Sequence, residues 1–254
     1  MKKFILFDID GTLIDNGTYP ENFDNIKRQI DMLKKDYIIG ICTYRPFDLN
    51  VKKIIKDYGL NGPIICEGGA CIFDKSFLKY NMVFKNEATQ NLNILIRNII
   101  LDYIKTKNIK ASVVISNNIN QNEFTVVING YRKMSSTIRF PQIFKEHINE
   151  LVSYMLSYKE LENMNITKIP NNELKLNILS KDVNKISTIE EYFINSEVTF
   201  VTDFEEIFPT NRNSSYIKVF SVGTNTDFNS KCDYVFSSFG KGVEEILIKL
   251  RSEL

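Results

Sequence analysis

The chain has 254 residues, 43% of them hydrophobic and 25% charged, with a formal net charge of +1. That length holds one large domain or two modest ones with ample core, and the near-neutral balance supplies no field to draw nucleic acid or an anionic membrane. No apolar stretch approaches the ~20 residues of a bilayer span, the N-terminal apolar run is too short for a signal peptide, and the four cysteines form no CxxC; structural thiols in a reducing cytoplasm are expected.

Taken in chain order, Phe4–Phe7 reads as a short buried strand running into Asp8-Ile9-Asp10-Gly11-Thr12-Leu13. A polar loop leads to a helix over Pro20–Lys35, with Ile26, Ile30, Met32 and Leu33 near one face. A strand over Tyr37–Cys42, a helix over Leu49–Tyr58 and a strand over Pro63–Cys66 follow, then a hairpin through Cys71–Phe84. The basic pairs Lys34-Lys35 and Lys52-Lys53 read as solvated helix faces. This β-α-β-α-β order predicts an α/β fold, a doubly wound parallel sheet with right-handed crossovers. Asp8, Asp10 and Thr43 then gather at its carboxyl edge, where such sheets bind ligands.

The rhythm changes near Lys85. A helix over Glu87–Lys107 precedes strands at Ala111–Ser116 and Glu123–Asn129. A second helix, Pro141–Tyr158, precedes strands at Asn165–Ile169 and Glu173–Leu179. An α-β-β unit repeated twice predicts an α+β domain inserted into the first, with boundaries at 1–84 and 180–254 for the core and 85–179 for the insert. From Val183 the α/β rhythm returns: a helix to Phe193, strands at Val198–Val201, Tyr216–Val222 and Tyr234–Phe236, and a helix over Gly242–Leu250.

Asp8 and Asp10 can project to one side where the first strand ends. Two carboxylates so close repel unless a positive group joins them, and a hard cation such as Mg2+, shared with a substrate phosphate, meets that need. Such a pair suits phosphoryl transfer onto one aspartate while the other moves protons. With a single histidine, His147, placed on the helix 141–158 and read as structural, a Ser-His-acid triad is a poor explanation of the chain.

The residues that carry these signals resemble the haloacid dehalogenase-like phosphatases, specifically the Cof-type branch with an αββαββ cap. Phe7-Asp8-Ile9-Asp10-Gly11-Thr12-Leu13 is similar to the first motif, DxDGTL, and Thr43-Tyr44-Arg45-Pro46 to the second. Glu67-Gly68-Gly69-Ala70 resembles the ENGA segment with glycine in place of asparagine. Lys185, with Lys181 as competitor, stands at the third-motif lysine. Thr202-Asp203-Phe204-Glu205-Glu206-Ile207 stands where GDxxND is usual, and a rival register places that motif at Gly223–Asp227.

The resemblance implies Asp8 as nucleophile, Asp10 as general acid and base, and Thr43 and Lys185 on the transferring phosphoryl group. It implies Gly11, Thr12, Arg45 and Gly69 around the substrate, and Asp8, Asp10 and Asp203 on Mg2+. Glu206, one turn beyond Asp203, is the candidate for the carboxylate that the fourth motif lacks. Arg132, Lys133 and Arg139 are candidates for an anionic leaving group or for plain surface positions. The implied activity is Mg2+-dependent hydrolysis of small phosphomonoesters, sugar phosphates or phosphoglycolate-like acids, by a cytoplasmic monomer or homodimer. A phosphomutase, a phosphometabolite-binding protein that uses the eroded fourth motif without turnover, and a receiver-type signalling module stand as alternatives.

Overall fold

The computed structural model describes residues 1–76, 79–84, 92–117, 122–132, 134–169, 172–203, 216–223 and 232–254. Their contacts divide the chain into two units, Met1–Val83 with Asn184–Leu254, and Phe84–Val183.

In the first unit the elements are β1 (Lys2–Phe7), α1 (Phe23–Leu33), β2 (Ile38–Cys42), α2 (Leu49–Tyr58), β3 (Ile64–Cys66), a 3-10 turn at Glu67–Gly69, and β4 (Cys71–Ser76) with β5 (Lys79–Phe84). After the second unit come its closing elements. In chain order, and numbered on from that insert, they are α5 (Lys185–Tyr192), β11 (Ser196–Thr202), β12 (Ile217–Ser221), β13 (Tyr234–Val235) and α6 (Phe239–Ser252). One sheet runs β13-β12-β11-β1-β2-β3-β4-β5. Its pairings from β13 to β3 are parallel, and β3 with β4 is antiparallel. β1 therefore lies between β2 and β11, pairing Phe7 with Ile41 on one side and with Val201 on the other. Ile5, Leu6 and Phe7 are fully buried, as a central parallel strand covered on both faces must be.

Helix α1 buries Ile26, Gln29, Ile30 and Leu33, whereas Met32 is exposed. Positions 26, 29, 30 and 33 fall on one stripe of a 3.6-residue period and 32 falls off it. Hydrophobicity alone therefore misplaced Met32, while Gln29 turns inward and accepts from Arg251 Nη1 at 3.0 Å.

The second unit contains α3 (Leu92–Thr106), β6 (Ser112–Ser116), β7 (Thr125–Asn129), β8 (Ser136–Arg139), α4 (Ile148–Leu156), β9 (Met164–Ile169) and β10 (Asn172–Ser180). They form a sheet in the order β6-β7-β8-β10-β9 with its own apolar core. This adds β8 to the anticipated strands, and β6 pairs with β7 in parallel. The stretch anticipated as one helix from 141 to 158 divides into a 3-10 turn at Gln142–Phe144 and α4. His147 is the residue before α4, edge-on to the rings of Tyr103 and Phe144, a packing role. No helix among the described residues is long and apolar enough to cross a membrane.

Candidate active site

The site grows from the carboxyl ends of β1 and β11. Because these strands pair in register, Asp8 and Asp203 each follow the last residue or two of adjacent strands, and Asp8 N donates to Val201 O at 2.8 Å. Beyond Asp8 the chain doubles back within a few residues: Leu13 N and Ile14 N both donate to Ile9 O at 2.9 Å, and Gly11 N donates to Ile14 O at 2.7 Å. Tyr58 of α2 closes over this turn, its hydroxyl donating to Leu13 O at 2.7 Å.

Asp8 is buried, and both its oxygens are engaged. Oδ1 accepts from Ile9 N at 2.7 Å. Oδ2 accepts from the ammonium of Lys185, a fully buried cation, and from Thr202 Oγ1 at 3.4 Å. Lys185 occupies the first turn of α5, whose start is fixed by a capping box in which Asn184 Oδ1 accepts from Ser187 N at 2.8 Å and Ser187 Oγ accepts from Asn184 N at 3.1 Å. The faces of Tyr44 and Phe200 lie 4.6 and 5.6 Å from its nitrogen and add cation–π attraction. Lys181 belongs to the second unit, where it donates to Glu162 O at 2.7 Å.

Asp203 reaches the same corner. Gly11, with φ +70°, packs its Cα so closely against this carboxylate that a Cβ there would sit 1.9 Å from Asp203 Oδ2. Glycine is thus required twice over, by conformation and by space. Burial foremost, then the Asp8 charge, push the Asp203 carboxyl up to about 7, with its own backbone N–H and Lys185 opposing.

Asp10 stands apart from these two, with an exposed side chain held by the fork of Arg45. Nε donates to Oδ2 at 2.8 Å and Nη2 to Oδ1 at 2.6 Å. These hydrogen bonds raise the Arg45 guanidinium above its ordinary value. Arg45 is itself anchored, its N donating to Thr43 Oγ1 at 3.2 Å and its O accepting from Glu67 N at 2.9 Å. Thr43 is buried just past β2. Thr12 Oγ1 is buried and has no hydrogen-bond partner among the described residues. Gly69, with φ +104°, lies against α5: Thr188 Oγ1 donates to Gly69 O at 3.1 Å, and a Cβ on Gly69 would meet Asn184 O at 2.6 Å.

The donor set fits a divalent cation in part. The buried Asp8 and the half-buried Asp203 repel each other, and the buried Thr12 hydroxyl has no hydrogen-bond partner among the described residues. Among the described residues no three acidic, histidine or cysteine side chains close into a cage. An ion such as Mg2+ takes one or two carboxylates and keeps water and substrate oxygens as its other ligands, and Asp8 and Asp203 are the carboxylates that could serve it. Glu206 and Lys133, with the rival segment after Gly223, lie outside the described residues. Arg132 and Arg139 belong to the second unit; Arg132 Nη1 donates to Ser135 Oγ at 2.8 Å, and burial lowers Arg139 from its usual value.

Thr202, Tyr44 and Phe200 around the Asp8–Lys185 pair escaped the sequence reading. Thr202 entered it only as a departure from glycine, and an aromatic beside a motif carries no signal of its own.

A doubly wound α/β sheet with an inserted α+β unit, and paired acids at the tip of its central strand, defines the class of molecule. The chain belongs to the haloacid dehalogenase-like hydrolases, whose sequence profile matches residues 5–225. Among solved structures it is similar to a haloacid dehalogenase-like hydrolase from Bacteroides thetaiotaomicron (TM-score 0.66, 13% identity, covering 98% of this chain and 100% of that one). It is also similar to the HAD subclass IIB sugar phosphatase BT4131 (0.59, 17%, 100% and 98%). A protein from Plasmodium vivax classed as HAD/COF-like matches too (0.60, 16%, 100% and 96%). No curated protein matches the chain in sequence.

Proposed function

We propose that this hydrolase is a Mg2+-dependent phosphomonoesterase for small phosphorylated metabolites, sugar phosphates or phosphoglycolate-like acids, working through a phospho-aspartate on Asp8. The observation that carries the reading is the Asp8–Lys185 pair: a buried carboxylate at the end of the central strand, oriented by Ile9 N–H and bonded to a buried ammonium.

In this reading an Asp8 oxygen attacks phosphorus as the ester P–O bond breaks. Asp10, oriented by Arg45, delivers a proton to the departing alkoxide. The same carboxylate then takes a proton from the water that cleaves the acyl phosphate, returning Asp8 and releasing inorganic phosphate. Lys185 offsets the charge that moves through the phosphoryl oxygens, and Thr43 and Thr12 offer hydroxyls to them. Asp8 and Asp203 would hold the metal, with Asp10 and Glu206 as further candidate ligands; when bound, the ion supplies charge neutralisation and alignment of phosphate with nucleophile. Selection of the leaving group is assigned to the inserted unit. The proposed setting is a reducing cytoplasm, where Cys42, Cys66, Cys71 and Cys232 stay as thiols.

The test is phosphate release from a panel of sugar, nucleotide and small-acid monophosphates, with Mg2+ and with chelator. Wild type releases phosphate only with the metal, heavy oxygen from labelled water enters the product, and Asp8→Asn abolishes turnover with an unchanged circular dichroism spectrum. Turnover by Asp8→Asn near wild type, or phosphate free of solvent oxygen, refutes the reading.

A further inference from the structure

Strand β6 forms one edge of the second unit's sheet, and among the described residues no strand pairs with its outer side. It reads Ser112-Val113-Val114-Ile115-Ser116, with no charge and no proline, the usual devices that stop an open edge from pairing. Ser112 N donates to Phe124 O at 2.9 Å, and Ser116 O accepts from Gly130 N at 3.1 Å, so these alternate residues bond toward β7. The backbone groups of Val113 and Ile115 then point outward. Arg97 Nε of α3 donates to the Val113 carbonyl at 3.4 Å, so a second copy must use the other lone pair of that oxygen or displace the arginine. Val114 and Ile115 lie on opposite faces of the strand, 39% and 40% exposed, with Phe124 beside the edge at 54%.

We propose that β6 pairs antiparallel with β6 of a second copy, about a two-fold axis through Val114, giving a homodimer with one continuous sheet. The sequence is matched to that operation. Reversal about Val114 sets Ser112 opposite Ser116, Val113 opposite Ile115 and Val114 opposite itself, so every pair is polar with polar or apolar with apolar. A two-fold contact must be complementary to itself, and no like charges meet across this one. Centring on Val114, which bonds inward, brings the outward residues face to face: Val113 N–H meets the carbonyl of Ile115 in the second copy, and Ile115 N–H meets its Val113 carbonyl. An axis through Val113 or Ile115 would leave one serine beyond the end of the pairing and the other opposite an apolar side chain.

The experiment is sedimentation velocity over a dilution series. Wild type sediments at twice the 29.5 kDa chain mass at high concentration, and Val114→Lys and Val114→Glu each sediment at the single-chain mass. Mixing the two variants restores the dimer, because only this register places the opposite charges face to face. A wild type that stays monomeric, a lysine variant that stays dimeric, or a mixture that fails to associate overturns the proposal. Hydrogen exchange on wild type gives a readout free of folding effects in the variants. The amides of Val113 and Ile115 gain protection as concentration rises, and protection independent of concentration also overturns it.

Discussion

Lys185 is fully buried and its ammonium meets Asp8, so each charge is the other's chief compensation. Removing one partner of such a pair costs about 3–5 kcal/mol, because the survivor stays buried and uncompensated. Lys185→Met is therefore expected to lose that much in urea denaturation with chelator present; an unchanged midpoint would contradict the pairing. Asp203 gives the opposite sign. Its carboxylate is half-buried and faces the Asp8 charge, so Asp203→Asn removes a repulsion and should leave the metal-free protein as stable as wild type or more so. If Mg2+ binds as proposed, it should raise the melting temperature of wild type through mass action and Asp203→Asn should abolish that rise; an undiminished rise would remove Asp203 from the metal site. Asp8, Asp10 and Asp203 are legible in the chain because acids at strand ends stand out against apolar runs. The Arg45 fork on Asp10 is not, since contact between residues 35 positions apart follows from which strands become neighbours.

At the scale of elements, the 3-10 turn at Glu67–Gly69 is the hub. It bonds Arg45 O through Glu67 N and Thr43 O through Gly68 N, and it receives Thr188 of α5 on Gly69 O. A methyl on Gly69 would press on Asn184, the cap immediately before Lys185. Gly69→Ala is thus expected to cut phosphate release about 100-fold, the scale of a 1 Å misplacement, while substrate affinity changes less; unaltered kcat would separate the turn from Lys185. The core strands and α2 were readable because apolar runs and turn residues agree there. β8 was missed because Ser-Thr-Ile-Arg turns one large apolar residue inward, too little for a period. The break before α4 was missed because the apolar positions keep a helical spacing across it while Gln142–Phe144 tightens into a 3-10 turn.

At the scale of the molecule, residues 84–183 bury a core of their own, including Ile100, Tyr103, Phe140, Leu151 and Leu176. A segment with its own core and a closed set of strand pairings can fold alone. Expressed by itself, this segment is expected to unfold cooperatively on heating, with near-ultraviolet dichroism from its packed aromatics; a flat melt would show that it depends on the flanking chain. The existence of two units was visible in the change of rhythm near Lys85. The parallel pairing of β6 with β7 was not, because two strands close in sequence usually form a hairpin.

The placement of β1 between β2 and β11 carries a consequence for how the protein comes into being. The nucleophile candidate is made before its neighbouring strand β11, its lysine and Asp203, and the lysine alone lies 177 residues further along. A nascent chain halted between them carries the opening motif and cannot assemble this corner, which closes only after the whole inserted unit has been made.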